Sequence, residues 1–211
     1  MQTHWPRLIG AARHTPGPLR QVDSRRGYIG LPRATPSPAV VHRVQQPVTE
    51  QTAQQQRHLD IVAAVKQNVS IPVAVKLAPY FSSFGSFALR LVEAGADGVV
   101  LFNRFLQPDV DVERMTFVES SPYSEPTELR NVLRMVAICS AVLPQLDLSV
   151  STGVHDGEAA VKALLCGAEA VQVCTAIHQK GFEVIAEMNE YIDRWSERQG
   201  FGSLDEFRGR L

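Results

Sequence analysis

Two hydrophobic periods alternate along residues 53–211. Short, nearly continuous apolar runs recur between longer stretches whose apolar positions return every three to four residues. The first long stretch, 55–67, carries Leu59, Ile61, Val62, Ala63 and Val65 at helical spacing and is closed by Ile71-Pro72. Residues 72–77 then form an apolar run broken only by Lys76, the pattern of a parallel strand covered on both faces. A helix over 83–93 turns Phe87, Leu91 and Val92 inward and stops at Gly95, and residues 98–103 give a second strand. Residues 108–119 alternate polar and apolar, with Val110, Val112, Met115 and Phe117 in step, which predicts a small β excursion within a loop. A long amphipathic helix follows over 126–143, with Pro126 tolerated in its first turn. The pattern ends with a strand over 147–151, a helix over 156–166 between Asp156 and Gly167, a strand over 170–174 and a helix over 180–199.

Strands that alternate with helices predict a parallel sheet with right-handed crossovers. The readable part is one helix followed by four βα units, hence an α/β fold amounting to half of a (β/α)8 barrel. A complete barrel of that kind typically needs ~250 residues, and the chain has 211.

Residues 1–52 share none of this patterning. They hold seven of the thirteen prolines and seven arginines, with no lysine and only Asp23 and Glu50 as acids. Their charge is about +5 and that of the remainder about −6, although the whole chain sums to −1. The segment is expected to be unstructured, a separate stretch ahead of a folded unit at 53–211. A basic arm for an acidic partner and a stretch that is not native coding sequence are the alternatives. The near-neutral sum gives no reason to invoke nucleic acid. No apolar run reaches the ~20 residues of a membrane helix, and the first residues lack a signal peptide's apolar core. Cys139, Cys166 and Cys174 form no CxxC pair, so they read as reduced thiols of a cytoplasmic protein without a metal site.

The candidate chemistry lies at the carboxyl ends of the strands. A lysine within Val73-Ala74-Val75-Lys76-Leu77 is buried against an anion or emerges at the strand end. Lys76 therefore reads as a cation held for negative charge on a bound cofactor or substrate, or else as half of a core ion pair. Asn103 ends the next strand, where its amide either contacts a ligand or shapes a turn. Ser151-Thr152-Gly153 and Cys174-Thr175 end the last two strands, and each precedes a helix. Backbone N–H groups at such turns suit a phosphate, although tight βα connections alone also explain them. Consecutive turns of this sort suggest the phosphate site found after strands 7 and 8 of a TIM barrel.

These segments carry a family resemblance. Residues 56–211 resemble the C-terminal half of the dihydroorotate dehydrogenases and dihydroorotate dehydrogenase-like proteins. The motifs that carry it are Ile71-Pro72-Val73-Ala74-Val75-Lys76-Leu77-Ala78-Pro79, Gly98-Val99-Val100-Leu101-Phe102-Asn103-Arg104-Phe105 and Ser151-Thr152-Gly153-Val154-His155-Asp156-Gly157-Glu158. Leu164-Leu165-Cys166-Gly167-Ala168, Val171-Gln172-Val173-Cys174-Thr175-Ala176 and the closing Gly202-Ser203-Leu204-Asp205-Glu206-Phe207-Arg208-Gly209 complete the set. The resemblance implies an FMN-dependent TIM-barrel oxidoreductase of pyrimidine synthesis that converts dihydroorotate to orotate. It places Lys76 at the N1/O2 edge of the flavin, where it stabilises the reduced ring, and Asn103 against substrate and flavin. It gives Ser151, Thr152, Gly153, Cys174 and Thr175 the FMN phosphate. Thr152 and Cys174 stand where the family often has glycine, an exchange that keeps the backbone donor in place only at negative φ.

The family's catalytic base, a Cys or Ser in the loop after strand 4, has no match here, and neither do strands 1–4. The expectation is thus a truncated half-barrel without its base. Another FMN-binding barrel oxidoreductase, or a non-catalytic remnant, are the alternatives. The unpaired edges of a half-barrel, beside Lys76 and beside Cys174, also predict association into a homodimer.

Overall fold

A computed structural model describes residues 9–10, 48–104, 108–118 and 121–211. The chain opens with a two-residue strand, Ile9–Gly10 (β1), and a helix, Val48–Asn68 (α1). Strand Ala74–Leu77 (β2), helix Phe84–Glu93 (α2) and strand Gly98–Leu101 (β3) follow. A hairpin of Asp109–Asp111 (β4) and Thr116–Val118 (β5) turns through Met115 at φ 53°. A 3-10 turn at Pro126–Glu128 leads into helix Leu129–Val142 (α3). The last units are Asp147–Val150 (β6), Gly157–Leu165 (α4), Ala170–Val173 (β7), Thr175–Lys180 (α5) and Glu183–Gln199 (α6).

The main sheet has the order β1-β7-β6-β3-β2, and every pair in it is parallel. Four of its strands are the four expected from the sequence. Alternation along them decides what each face does. Val75, Leu77, Val99, Leu101, Leu148, Val150, Val171 and Val173 are buried in the core. Phe87 and Leu91 of α2, Val132 and Val136 of α3, Ala160 and Ala163 of α4 and Met188 of α6 are buried in the same cluster. The alternate positions are different in kind. Lys76, Ser149 and Gln172 are half-buried, and Gln172 Nε2 donates to Ser149 Oγ at 3.3 Å. One side of the sheet is thus sealed by helices, while the other carries these polar side chains around the buried Val100.

Two expectations differ from the fold. Residues 180–199 read as one helix, but Gly181 at φ 86° separates α5 from α6. Six residues are too few to show a helical period, so α5 left no trace in the pattern. Residues 1–52 were expected to carry no element, yet they include β1 and the start of α1. Ile9 pairs with Gln172 and Gly10 with Val173, which occupies the edge beside Cys174 that was expected to be open. A two-residue strand cannot show alternation, which explains its silence in the sequence. The basic, proline-rich remainder, 1–8 and 11–47, lies outside the described residues.

Candidate functional site

The polar groups collect where the parallel strands end. Parallel registry sets Lys76, Val100 and Ser149 side by side, and Leu77, Leu101, Val150 and Val171 one step further along. The ladder then runs one residue past β6, because Ser151 N donates to Leu101 O at 2.6 Å and Phe102 N donates to Ser151 O at 3.2 Å. Asn103 is fixed in the same way, its N–H donating to Leu77 O at 2.7 Å. Its side chain is exposed at the strand ends.

Lys76 reaches across β3 to the far turn. Its Nζ donates to Ser151 Oγ at 3.3 Å, and Ser151 itself is buried. The lysine from one strand and the first residue of the small-residue turn are thereby brought together, 75 positions apart in the chain.

The turn after β6 has a backbone that the sequence did not reveal. Both Thr152 (φ 84°) and Gly153 (φ 77°) are left-handed. For glycine this is unstrained; for a β-branched residue it costs ~1–3 kcal/mol. Thr152 offsets part of that cost by donating Oγ1–H to Phe102 O at 3.1 Å. The condition set by the glycine exchange is therefore met at Cys174, with φ −129°, and not at Thr152. Gly153 has a second reason to be glycine. A Cβ there would lie 2.5 Å from the Leu129 backbone nitrogen, so the start of α3 presses directly on the turn. Asp156 caps α4 as expected, its carboxylate accepting from Ala159 N at 2.8 Å. That carboxylate occupies the positive end of α4.

At the end of β7, Thr175 is buried and Cys174 is exposed, in contrast to the buried Cys139 and Cys166. A loop with no hydrophobic period, which holds Tyr123 and Ser124, lies on this end. Ser124 N donates to Thr175 Oγ1 and Ser124 Oγ is hydrogen-bonded to it, each at 3.1 Å, and Ser124 Oγ also meets His155 Nε2 at 3.2 Å. Tyr123 stacks on His178 with ring centroids 4.7 Å apart, and its hydroxyl hydrogen-bonds His178 Nε2. Arg104 anchors both ends of this loop, with Nε donating to the Glu128 carboxylate at 3.1 Å and a terminal nitrogen to Ser121 O at 2.8 Å. No local motif could have marked Ser124 and Tyr123, since their partners lie 31 to 55 residues away. Among the described residues, no group of three or more His, Cys, Asp or Glu is arranged to hold a metal ion, and no helix is long and apolar enough to cross a membrane.

A parallel sheet whose strands alternate with helices, with a lysine, an asparagine and two small-residue turns at its strand ends, places the chain among the α/β proteins. Residues 43–195 match the sequence profile of the family described as dihydroorotate dehydrogenase, and the chain belongs to that family. It is 31% identical to the catalytic subunit of dihydroorotate dehydrogenase B (NAD(+)) from Pyrococcus abyssi, over 71% of this chain and 51% of that protein. The corresponding subunit from Pyrococcus furiosus is 34% identical over 71% of this chain and 50% of its own length. Dihydroorotate dehydrogenase (fumarate) from Saccharomyces bayanus is 28% identical over 66% and 48% respectively. The chain spans about half the length of the curated relatives it matches.

Proposed function

We propose that this chain binds FMN at the carboxyl ends of β2, β3, β6 and β7, as part of a cytoplasmic oxidoreductase that converts dihydroorotate to orotate. Support comes first from one contact, the 3.3 Å hydrogen bond from Lys76 Nζ to Ser151 Oγ. It brings the cation of β2 and the first residue of the turn after β6 to one place at the strand ends, the face to which the family resemblance assigns the cofactor. The residues also suit the group chemically: a cation for the pyrimidine edge, and hydroxyl and backbone donors for the phosphate.

In this reading Ser151, Thr152, Gly153, Cys174 and Thr175 hold the phosphate, Lys76 faces the ring and Asn103 orients substrate. FMN, when bound, supplies the hydride acceptor that amino-acid side chains lack. The contribution of Lys76 is a fixed positive charge in a half-buried setting, worth most where negative charge develops during the reaction. Oxidation also requires a proton to leave the substrate carbon, and the reading assigns no residue of this chain to that task.

The test is an FMN titration of the wild-type chain and of Lys76→Ala, with the reduction potential of the bound flavin measured in both. Lys76→Ala is expected to lower the potential while leaving most of the phosphate-dependent affinity. A wild-type chain that binds no FMN overturns the reading. The 211-residue chain alone is expected to turn over dihydroorotate poorly, and robust orotate formation would make His155 the first residue to test as a base.

A further inference from the structure

The hydrogen bonds around Thr175 form one connected set. A hydroxyl carries two lone pairs and one proton. Thr175 Oγ1 accepts from the Ser124 N–H at 3.1 Å, which takes one lone pair, and it is also paired with the Ser124 hydroxyl at 3.1 Å, a bond that the two oxygen positions allow in either direction. With Ser124 as the donor, both lone pairs of Thr175 Oγ1 are taken and its own proton is left to donate. Ser124 Oγ then accepts from its remaining neighbour, His155 Nε2, at 3.2 Å, provided that nitrogen carries the proton. In that order the chain runs from His155 Nε2–H through Ser124 to Thr175 and ends in a donor. Chains of this kind polarise each member in the same sense. The stacked and hydrogen-bonded pair Tyr123–His178 holds the loop in place alongside. The reverse order, Thr175 to Ser124 to His155, would consume the Thr175 proton internally and leave no donor for a ligand.

We propose that Ser124 is a positioning residue, one that commits the Thr175 hydroxyl to donate towards an acceptor-only anion, with His155 setting the direction by carrying its proton on Nε2. The inference rests on the reading of Thr175 as a phosphate contact and deepens it. Phosphate oxygens accept only, whereas an alcohol at the same place brings a proton of its own. A pre-set donor thus favours the phosphate monoester FMN over riboflavin, the same molecule with a free hydroxyl.

The experiment uses the full chain as wild type, Ser124→Ala and Ser124→Thr. Nitrogen-15 NMR reads the protonation of His155 without ligand, and titrations with FMN, riboflavin and inorganic phosphate give the affinities. His155 is expected to be protonated at Nε2. Ser124→Ala should weaken FMN roughly tenfold, the loss of one well-placed hydrogen bond to a charged group, and leave riboflavin unchanged. Ser124→Thr, which keeps the hydroxyl, should recover most of the loss. A His155 protonated only at Nδ1, an FMN affinity unaltered by Ser124→Ala, or an equal loss for riboflavin would each overturn the proposal. Failure of the flavin reading looks different: the wild type then binds neither FMN nor riboflavin. In that case inorganic phosphate decides, since a loss of its binding in Ser124→Ala supports the positioning role and no change overturns it.

Discussion

Thr152 is the residue where sequence and backbone pull hardest against each other. A β-branched side chain at φ 84° is held by one side-chain hydrogen bond, to Phe102 O, and by the neighbouring Gly153, which cannot take a Cβ against Leu129. Strain of this kind persists only when the surroundings over-determine it, and it gathers at ligand sites. The usual ranking of alanine above glycine should therefore invert here. Thr152→Ala keeps most of the left-handed penalty and loses the bond to Phe102, whereas Thr152→Gly loses the bond and relieves the strain. We expect the alanine variant to be the less stable by ~1 kcal/mol, read as a shift of the denaturation midpoint at constant slope. Equal midpoints, or a more stable alanine variant, would show that the turn relaxes when Thr152 is changed.

At the scale of elements, legibility followed length and period. β2, β3, β6 and β7 were readable because each is a short apolar run bounded by turn residues, and α2, α3, α4 and α6 because their apolar stripes persist for nine residues or more. β1 and α5 were not, being two and six residues long, and the loop holding Ser124 has no period at all. Lys76 was legible as a candidate because a charge interrupts a buried strand, and Ser151 because it opens a small-residue turn; the contact between them was not, because it depends on registry across three strands. A structural ion pair escaped in the same way. Lys66, in the last turn of α1, donates to Asp97 Oδ2 at 2.8 Å, and the Val73 N–H donates to the same oxygen at 2.6 Å. Partial burial, the largest single influence, pushes the Asp97 carboxyl upward, but the hydrogen bonds from Lys66 and Val73 and the charge of Lys66 outweigh it and hold the carboxyl below its ordinary value of 3.8. A lowered folded-state value means that the ionised carboxylate stabilises the fold above that ordinary value, and that the contribution is lost as pH falls through the folded one. The pair is half-exposed, so the gain is small. Asp97→Asn should flatten the acid limb of the stability–pH curve below about pH 4 while changing little at neutral pH. An unchanged acid limb in the variant would show that Asp97 does not link α1 to the sheet energetically.

Seen whole, the sheet is parallel throughout and its two edges are unequal. β7 is covered on its outer side by β1, whereas β2, among the described residues, pairs on one side only, with β3. β2 is also the strand that carries Lys76, so the open edge and the candidate site share a boundary. An exposed strand edge presents a row of backbone donors and acceptors to any chain that can match it, and the commonest matching chain in a purified sample is another copy. A charge on the edge is one of the devices that discourages such pairing. Lys76 is poorly placed to act in this way, because its ammonium is turned across the sheet to Ser151 and away from the outer side of β2. The purified chain is therefore expected to sediment as a dimer or a larger species, with the monomer fraction rising on dilution. The same geometry predicts where pairing can be weakened. Proline at Val75 would break the ladder to β3, since the Val73 and Leu77 carbonyls on either side of it both face that strand, so a substitution at half-buried Ala74 is the better probe. Ala74→Lys should shift the distribution towards monomer at moderate ionic strength and lose part of that effect in high salt. A wild-type chain that sediments as a single, concentration-independent monomer would show that the outer side of β2 is closed within one molecule.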